Sequence, residues 1–250
     1  MIYTVVGWSA WVLSSCVTVW QPVRVERTNY LIHADSLPVD TPMWQMIQPY
    51  RQALVEEMSE VLVEADTPMV KAKPESTLGN FFADALYEAV RDSLGEEIDF
   101  AIQNYGGLRL AMLPKGPITL GHLYELMPFE NYIVIMEGDS ALIQRLFDRI
   151  AQNGGWPVSW QVRFRIVGER AEDIRIQGKP LQSGVVYRFA LPDYIANGGD
   201  RMFFLREVPR KSTTLLVRDA VIAVLRKWHR QGRHLSPKVE GRIRMDNESR

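Results

Sequence analysis

The chain has 250 residues, 46% of them hydrophobic and 24% charged, which is enough for one large domain or two small ones with a real core. Its 29 basic and 30 acidic side chains leave a formal net charge of -1, so no global field draws it onto a nucleic-acid backbone, and any anion it binds must meet a local pocket. Cys16 is the only cysteine, which excludes an internal disulfide framework and a thiolate metal cluster.

Residues 2–13 carry no charge and are too few to span a bilayer, which takes about 20 apolar residues. They fit the apolar stretch of a signal peptide, and Leu13-Ser14-Ser15-Cys16 directly after them resembles the lipobox of bacterial lipoproteins, where cleavage precedes a lipidated cysteine. Residues 1–16 are therefore read as an export segment, with Cys16 as the lipid attachment point and the cell envelope or periplasm as the destination. No Lys or Arg precedes the apolar run, and an N-terminal strand or tail is the alternative reading. Labelled fatty acid should enter the wild type and not Cys16→Ala; an unlabelled wild type ends the lipoprotein reading.

Residues 17–42 show no sustained period and read as a tether. From Trp44 the pattern turns helical. Met46, Ile47, Tyr50, Leu54, Met58, Val61 and Leu62 recur at three- and four-residue steps, and Asp66-Thr67-Pro68 closes the run. A second helix is predicted over residues 78–93, burying Leu78, Phe82, Ala85, Leu86 and Ala89, with Gly95 past its end. Residues 99–103 form a short strand running into Asn104-Tyr105-Gly106-Gly107. Asp139 is an N-cap for a helix whose Leu142, Ile143, Leu146, Phe147 and Ile150 face inward, and Gly154-Gly155 ends it. Residues 160–190 alternate as strands, with Gly178-Lys179-Pro180 and Gln182-Ser183-Gly184 as turns between them. A last helix is predicted to start at Ser212-Thr213 and to bury Leu216, Ala220, Val224 and Trp228. Residues 239–250 read as a polar, frayed tail. The irregular alternation of helices and hairpin strands points to one α+β domain over residues 43–238.

The four histidines, His33, His122, His229 and His234, stand at no metal-ligand spacing, so neither a metal nor another cofactor is expected in this chain. Four other segments stand out. They are Pro74-Glu75-Ser76-Thr77-Leu78-Gly79-Asn80; Asn104-Tyr105-Gly106-Gly107-Leu108-Arg109; Gly116-Pro117-Ile118-Thr119 through Met127-Pro128-Phe129-Glu130-Asn131; and Tyr194-Ile195-Ala196-Asn197-Gly198-Gly199-Asp200. Each alone is weak. In this order and at these spacings they resemble the C-terminal, substrate-recognition domain of the 5'-nucleotidase family, from Pro74 to Met202 and more loosely to Trp228.

The resemblance implies roles residue by residue. Phe129 and Tyr194 match two rings that sandwich a nucleobase, Asn104 a side chain that hydrogen-bonds the nucleoside, Arg109 an arginine on the phosphate side, and Asp200 a carboxylate that accepts both ribose hydroxyls. Without the family, Phe129 reads as a core aromatic, Tyr194 as a strand-end aromatic, Asn197-Gly198-Gly199-Asp200 as a tight turn, and Arg109 as half of a salt bridge. Two positions depart from the family pattern. Pro74, with Lys73 beside it, stands where an arginine is frequent, and Arg201 stands where a glycine is usual; both bear on the substrate range.

The family's chemistry belongs to an N-terminal metallophosphatase domain with two metals, whose Asp-x-His and Gly-Asn-His motifs do not occur in this sequence. The resemblance therefore implies no catalytic residue here, negligible phosphatase activity for the isolated chain, and divalent metals only in a partner. Two functions follow. The chain is either the nucleoside- or nucleotide-recognition half of a split 5'-nucleotidase with a separate metallophosphatase subunit, or a stand-alone nucleoside- or nucleotide-binding lipoprotein.

Overall fold

The computed structural model describes residues 28–29 and 38–246. Residues up to Ile47 group as one unit and those from Gln48 onward as a second, compact one. The predicted export segment, Cys16 and most of the predicted tether lie outside the described residues.

Helix α1 (Thr41–Met58) buries none of its residues. The predicted inward stripe is thus solvent-exposed at Met46, Ile47, Tyr50 and Leu54, with Met58 half-buried. The helix also stops earlier than its apolar period. Val61 and Leu62 open strand β1 (Val61–Ala65), because a Val-Leu-Val run fits a pleated surface, and here it pairs antiparallel with β5 below. The turn at Asp66-Thr67-Pro68 consequently joins two strands instead of closing a helix.

Next come β2 (Met69–Val70), α2 (Thr77–Leu94), β3 (Phe100–Ala101), a single 3-10 turn at Tyr105–Gly107, β4 (Met112–Leu113) and β5 (Gly116–Thr119). Then follow α3 (Leu120–Leu126), β6 (Tyr132–Asp139), α4 (Ser140–Gln152), β7 (Val162–Val167), β8 (Arg170–Ile176) and β9 (Lys179–Pro180). The chain ends with β10 (Val186–Pro192), α5 (Asp193–Ala196), β11 (Arg210–Leu216), α6 (Val217–Arg230) and β12 (Ile243–Asp246). The fold is the mixed α and β type that the sequence pattern implies.

Local chemistry fixes the helix ends. The Ser76 hydroxyl accepts from Gly79 N at the start of α2, and Gly95 closes it in the left-handed region at φ 63°. Asp139 caps α4 by accepting from Leu142 N at 2.9 Å. Ser212 and Thr213, read as a helix start, lie inside β11. Ser212 pairs with Val134 of β6, and the Thr213 hydroxyl donates to Ile133 O at 2.8 Å, so neither is free to cap. The helix begins at Val217, and Ala220, Val224 and Trp228 are buried in it as expected.

The sheet β11-β6-β10-β3 divides two apolar cores. Side chains of a strand alternate between faces. Ile133, Ile135 and Ala190 join one core with Leu62, Leu86, Val221 and Trp228, while Val134, Met136, Phe189 and Leu191 join the other with Phe147, Ile150 and Phe164. Phe100 and Phe189 stack there with centroids 5.3 Å apart. The second sheet, β12-β7-β8-β9, covers α4. Its edge corrects the reading of residues 239–250 as a frayed tail: Ile243–Asp246 pairs in parallel with Phe164–Val167.

Candidate functional site

Sheet direction brings the distant motifs together. Strand β3 runs parallel to β10, and β6 runs antiparallel to it, from Val186 opposite Asp139 to Pro192 opposite Ile133. The chain leaving β3, the chain entering β6 and the chain leaving β10 therefore meet at one end of the sheet's strands. These are the segments that carry Asn104 to Arg109, Phe129 to Asn131, and Tyr194 to Asp200.

All five residues singled out from the sequence line one cavity of about 360 Å³: Asn104, Arg109, Phe129, Tyr194 and Asp200. Phe129 is 40% exposed and Tyr194 46%, so neither is a core aromatic. The Asp200 carboxylate is already engaged. Its Oδ2 accepts from Asn104 Nδ2 at 2.8 Å, and its Oδ1 accepts from the Tyr194 hydroxyl at 3.2 Å. Asn104 is 4% exposed and has its own second contact, accepting at Oδ1 from Gln103 Nε2 at 3.0 Å. A carboxylate oxygen keeps spare lone pairs in such a setting, so Asp200 can still accept from a ligand hydroxyl.

Among the described residues, Arg109 forms no ion pair. Its backbone N–H is fixed on Leu126 O at 2.8 Å. Its guanidinium lies 5.6 Å from the Phe129 ring centre and makes a weak 3.5 Å contact with Gly106 O. Two more cations flank the same loop. The Lys71 and Lys73 ammonium groups lie 4.0 and 4.8 Å from the centre of the Tyr105 ring. Lys71 donates to Leu108 O at 2.6 Å, and Lys73 donates to Asn153 O. Burial lowers the Lys71 pKa below the ordinary lysine value, and the charges of Arg109 and Lys73 push it the same way. Lys73, not Pro74, thus holds the positive charge of that segment, and it is braced on the end of α4.

The turn that presents Asp200 uses the left-handed region three times, at Gly198 (φ 92°), Asp200 (φ 50°) and Arg201 (φ 66°). Asp tolerates this conformation, whereas a long side chain pays about 1–2 kcal/mol for it. That explains why a glycine suits position 201. The Arg201 side chain is exposed and is absent from the cavity wall, so it does not narrow the pocket.

Two contributors escaped the sequence reading. Asn131 lines the cavity, and its carbonyl accepts from Val217 N at 2.8 Å, tying the wall to α6. It stands two residues after Phe129 in the third motif, where the resemblance gives a role only to the aromatic. Gln103 is fully buried behind Asn104, and nothing in an apolar strand ending marks a glutamine as more than a neighbour.

The model of the 5'-nucleotidase C-terminal domain matches residues 60–207 of the chain. The chain belongs to the 5'-nucleotidase C-terminal domain family. The trifunctional nucleotide phosphoesterase protein YfkN of Bacillus subtilis is 27% identical over 201 residues, covering 74% of this chain and 13% of that protein. A 5'-nucleotidase of Vibrio cholerae is 24% identical over 184 residues, covering 70% of this chain and 32% of its own. Among solved structures, the 5'-nucleotidase precursor of Thermus thermophilus superposes with a TM-score of 0.71 at 28% identity, over 86% of this chain and 45% of that one. The chain therefore spans less than half the length of these relatives. The site described above lies wholly inside the matched 5'-nucleotidase C-terminal region.

Proposed function

We propose that the chain is the nucleoside- or nucleotide-recognition component of a 5'-nucleotidase-type phosphomonoesterase, with hydrolysis supplied by a metallophosphatase. The reading rests on one observation above the others: two exposed rings, a buried amide, a carboxylate and a guanidinium share a single cavity. A nucleobase fits between Phe129 and Tyr194, because any base offers a π-face to an aromatic ring. The ribose then meets Asp200, steadied by Asn104, and the phosphate lies toward Arg109, whose planar fork suits phosphate oxygens. The metallophosphatase brings the divalent metals and an activated water, and the cavity residues only bind and orient. That partner is a separate subunit in this proposal, and a Cys16 lipid anchor holds the recognition chain at the envelope surface.

Adenosine and AMP titrations with wild type and Phe129→Ala test the pocket. Base–aromatic stacking contributes about 1–3 kcal/mol, so the variant should bind roughly tenfold more weakly. Equal affinity would remove Phe129 from the site. Metal-dependent AMP hydrolysis by the pure chain would refute the assignment of catalysis to a partner.

A further inference from the structure

We infer that Gln103 is a positioning residue that sets the preference of this site for a ribose over a 2'-deoxyribose; the inference rests on the nucleoside-binding reading above. The argument starts from Asp200. An ionised carboxylate only accepts hydrogen bonds, so the Asn104 group 2.8 Å from its Oδ2 must be the NH₂ side of the amide. That leaves Asn104 Oδ1 pointing back into the protein. Its neighbour there, 3.0 Å away, is the Gln103 side chain, which must then present its own NH₂. The polarity of the row Gln103, Asn104, Asp200 is fixed from end to end, and each donor faces the cavity side.

The same logic says what Gln103 does for Asn104. An unsupported carboxamide can turn over, and a flipped Asn104 would set Oδ1 against the Asp200 carboxylate. That arrangement repels, and it would turn Asp200 away from the diol position. Gln103 is fully buried and Asn104 is 4% exposed, so no solvent water replaces the missing partner easily. The cost of this arrangement is visible at the far end of the row. Gln103 Oε1 is buried and has no hydrogen-bond partner among the described residues. A buried polar side chain that leaves one of its atoms unsatisfied is hard to explain as a stabiliser, because an apolar residue would avoid the penalty. It is understandable as a device that holds its neighbour.

Gly107 belongs to the same device. A Cβ there would stand 2.6 Å from Asn104 Oδ1 and closer still to Gln103 Nε2. The second glycine of Tyr105-Gly106-Gly107 therefore leaves room for the amide pair. The backbone completes the mounting, since Gln103 N donates to Pro157 O at 3.0 Å.

The test compares adenosine and 2'-deoxyadenosine affinities, by calorimetry, in wild type and Gln103→Met, which keeps length and removes both polar atoms. Adenosine presents both ribose hydroxyls to Asp200 and deoxyadenosine only the 3'-hydroxyl, so adenosine should lose more affinity and the adenosine-to-deoxyadenosine ratio should fall roughly tenfold. A merely structural role for Gln103 would weaken both ligands equally and leave the ratio unchanged, and that result overturns the inference. Gln103→Glu, which keeps the shape and at neutral pH inverts the polarity when ionised, replaces the methionine variant if that one does not fold. A ligand-free readout separates this inference from the binding proposal. In the side-chain amide NMR spectrum, the Asn104 NH₂ signal of the wild type should move when Asp200→Asn is made, and should broaden or move likewise in Gln103→Met. If the wild type binds no nucleoside, the proposed function fails while this measurement still decides on Gln103: an Asn104 signal indifferent to Gln103→Met refutes its positioning role.

Discussion

Asp84→Ala, followed by thermal unfolding, is expected to cost about 3 kcal/mol, which lowers the midpoint of a domain this size by roughly 6–12 °C. The reason is Arg242, whose side chain is 3% exposed. Its two terminal nitrogens donate to the two Asp84 oxygens at 2.7 and 2.8 Å, and one of them also donates to Val158 O at 2.9 Å. Glu240 accepts from the same guanidinium at 2.9 Å but is itself 43% exposed. Asp84 further accepts from Trp160 N at 2.8 Å, so one carboxylate on α2 ties together the 156–160 loop and the segment that leads into β12. Burial pushes the Asp84 carboxyl above the ordinary range, and the guanidinium beside it pulls the other way. The pair is thus poor evidence of net stabilisation, yet removing one half strands a buried charge. Replacing both, with Asp84→Leu and Arg242→Met, should recover most of the loss. A midpoint unchanged in Asp84→Ala would show that Arg242 finds enough compensation elsewhere.

This pair also shows where the sequence stopped being legible. Helices α2 and α4 could be read because their signals are local: Gly95 and Asp139 act on backbone groups within three or four residues of themselves. Strand β12 could not. Its pairing with β7 joins residues nearly 80 positions apart, and Arg242 looks like any charged residue of a polar tail until Asp84 is placed opposite it. The start of α6 failed for the opposite reason, since Ser212 and Thr213 carry a local capping signal that sheet pairing with β6 overrides. In α1 the apolar period was real, but periodicity reports a face and not what covers it. The candidate site was legible through the resemblance of four motifs rather than through physics. No spacing rule places Phe129, Tyr194 and Asn104 in one cavity; the parallel and antiparallel pairing of β3, β6 and β10 does. What the resemblance did not reach is Gln103, the support behind the wall, and Asn131, a wall residue to which it gives no role.

Gly199→Ala is expected to weaken nucleoside binding roughly a hundredfold, the combined loss of one stacking ring and one hydrogen bond to a carboxylate. The Tyr194 ring lies flat against this glycine: a Cβ at Gly199 would stand 2.6 Å from both Cδ1 and Cζ of the ring. The backbone at position 199 is not in the left-handed region, so alanine brings no strain of its own there. The ring, at 46% exposure, has room to swing away, and the fold should survive with its unfolding midpoint nearly unchanged. Displacing Tyr194 would open one wall of the cavity and release its hydroxyl from Asp200 Oδ1. Because the substitution acts only through that ring, its effect should vanish when Tyr194 is already gone. In a double-mutant cycle, Gly199→Ala added to Tyr194→Ala should change affinity by less than about twofold, within the error of independent effects. An additive loss in the double variant would mean that Gly199 touches the ligand through its own backbone, and that Tyr194 is not the ring it positions.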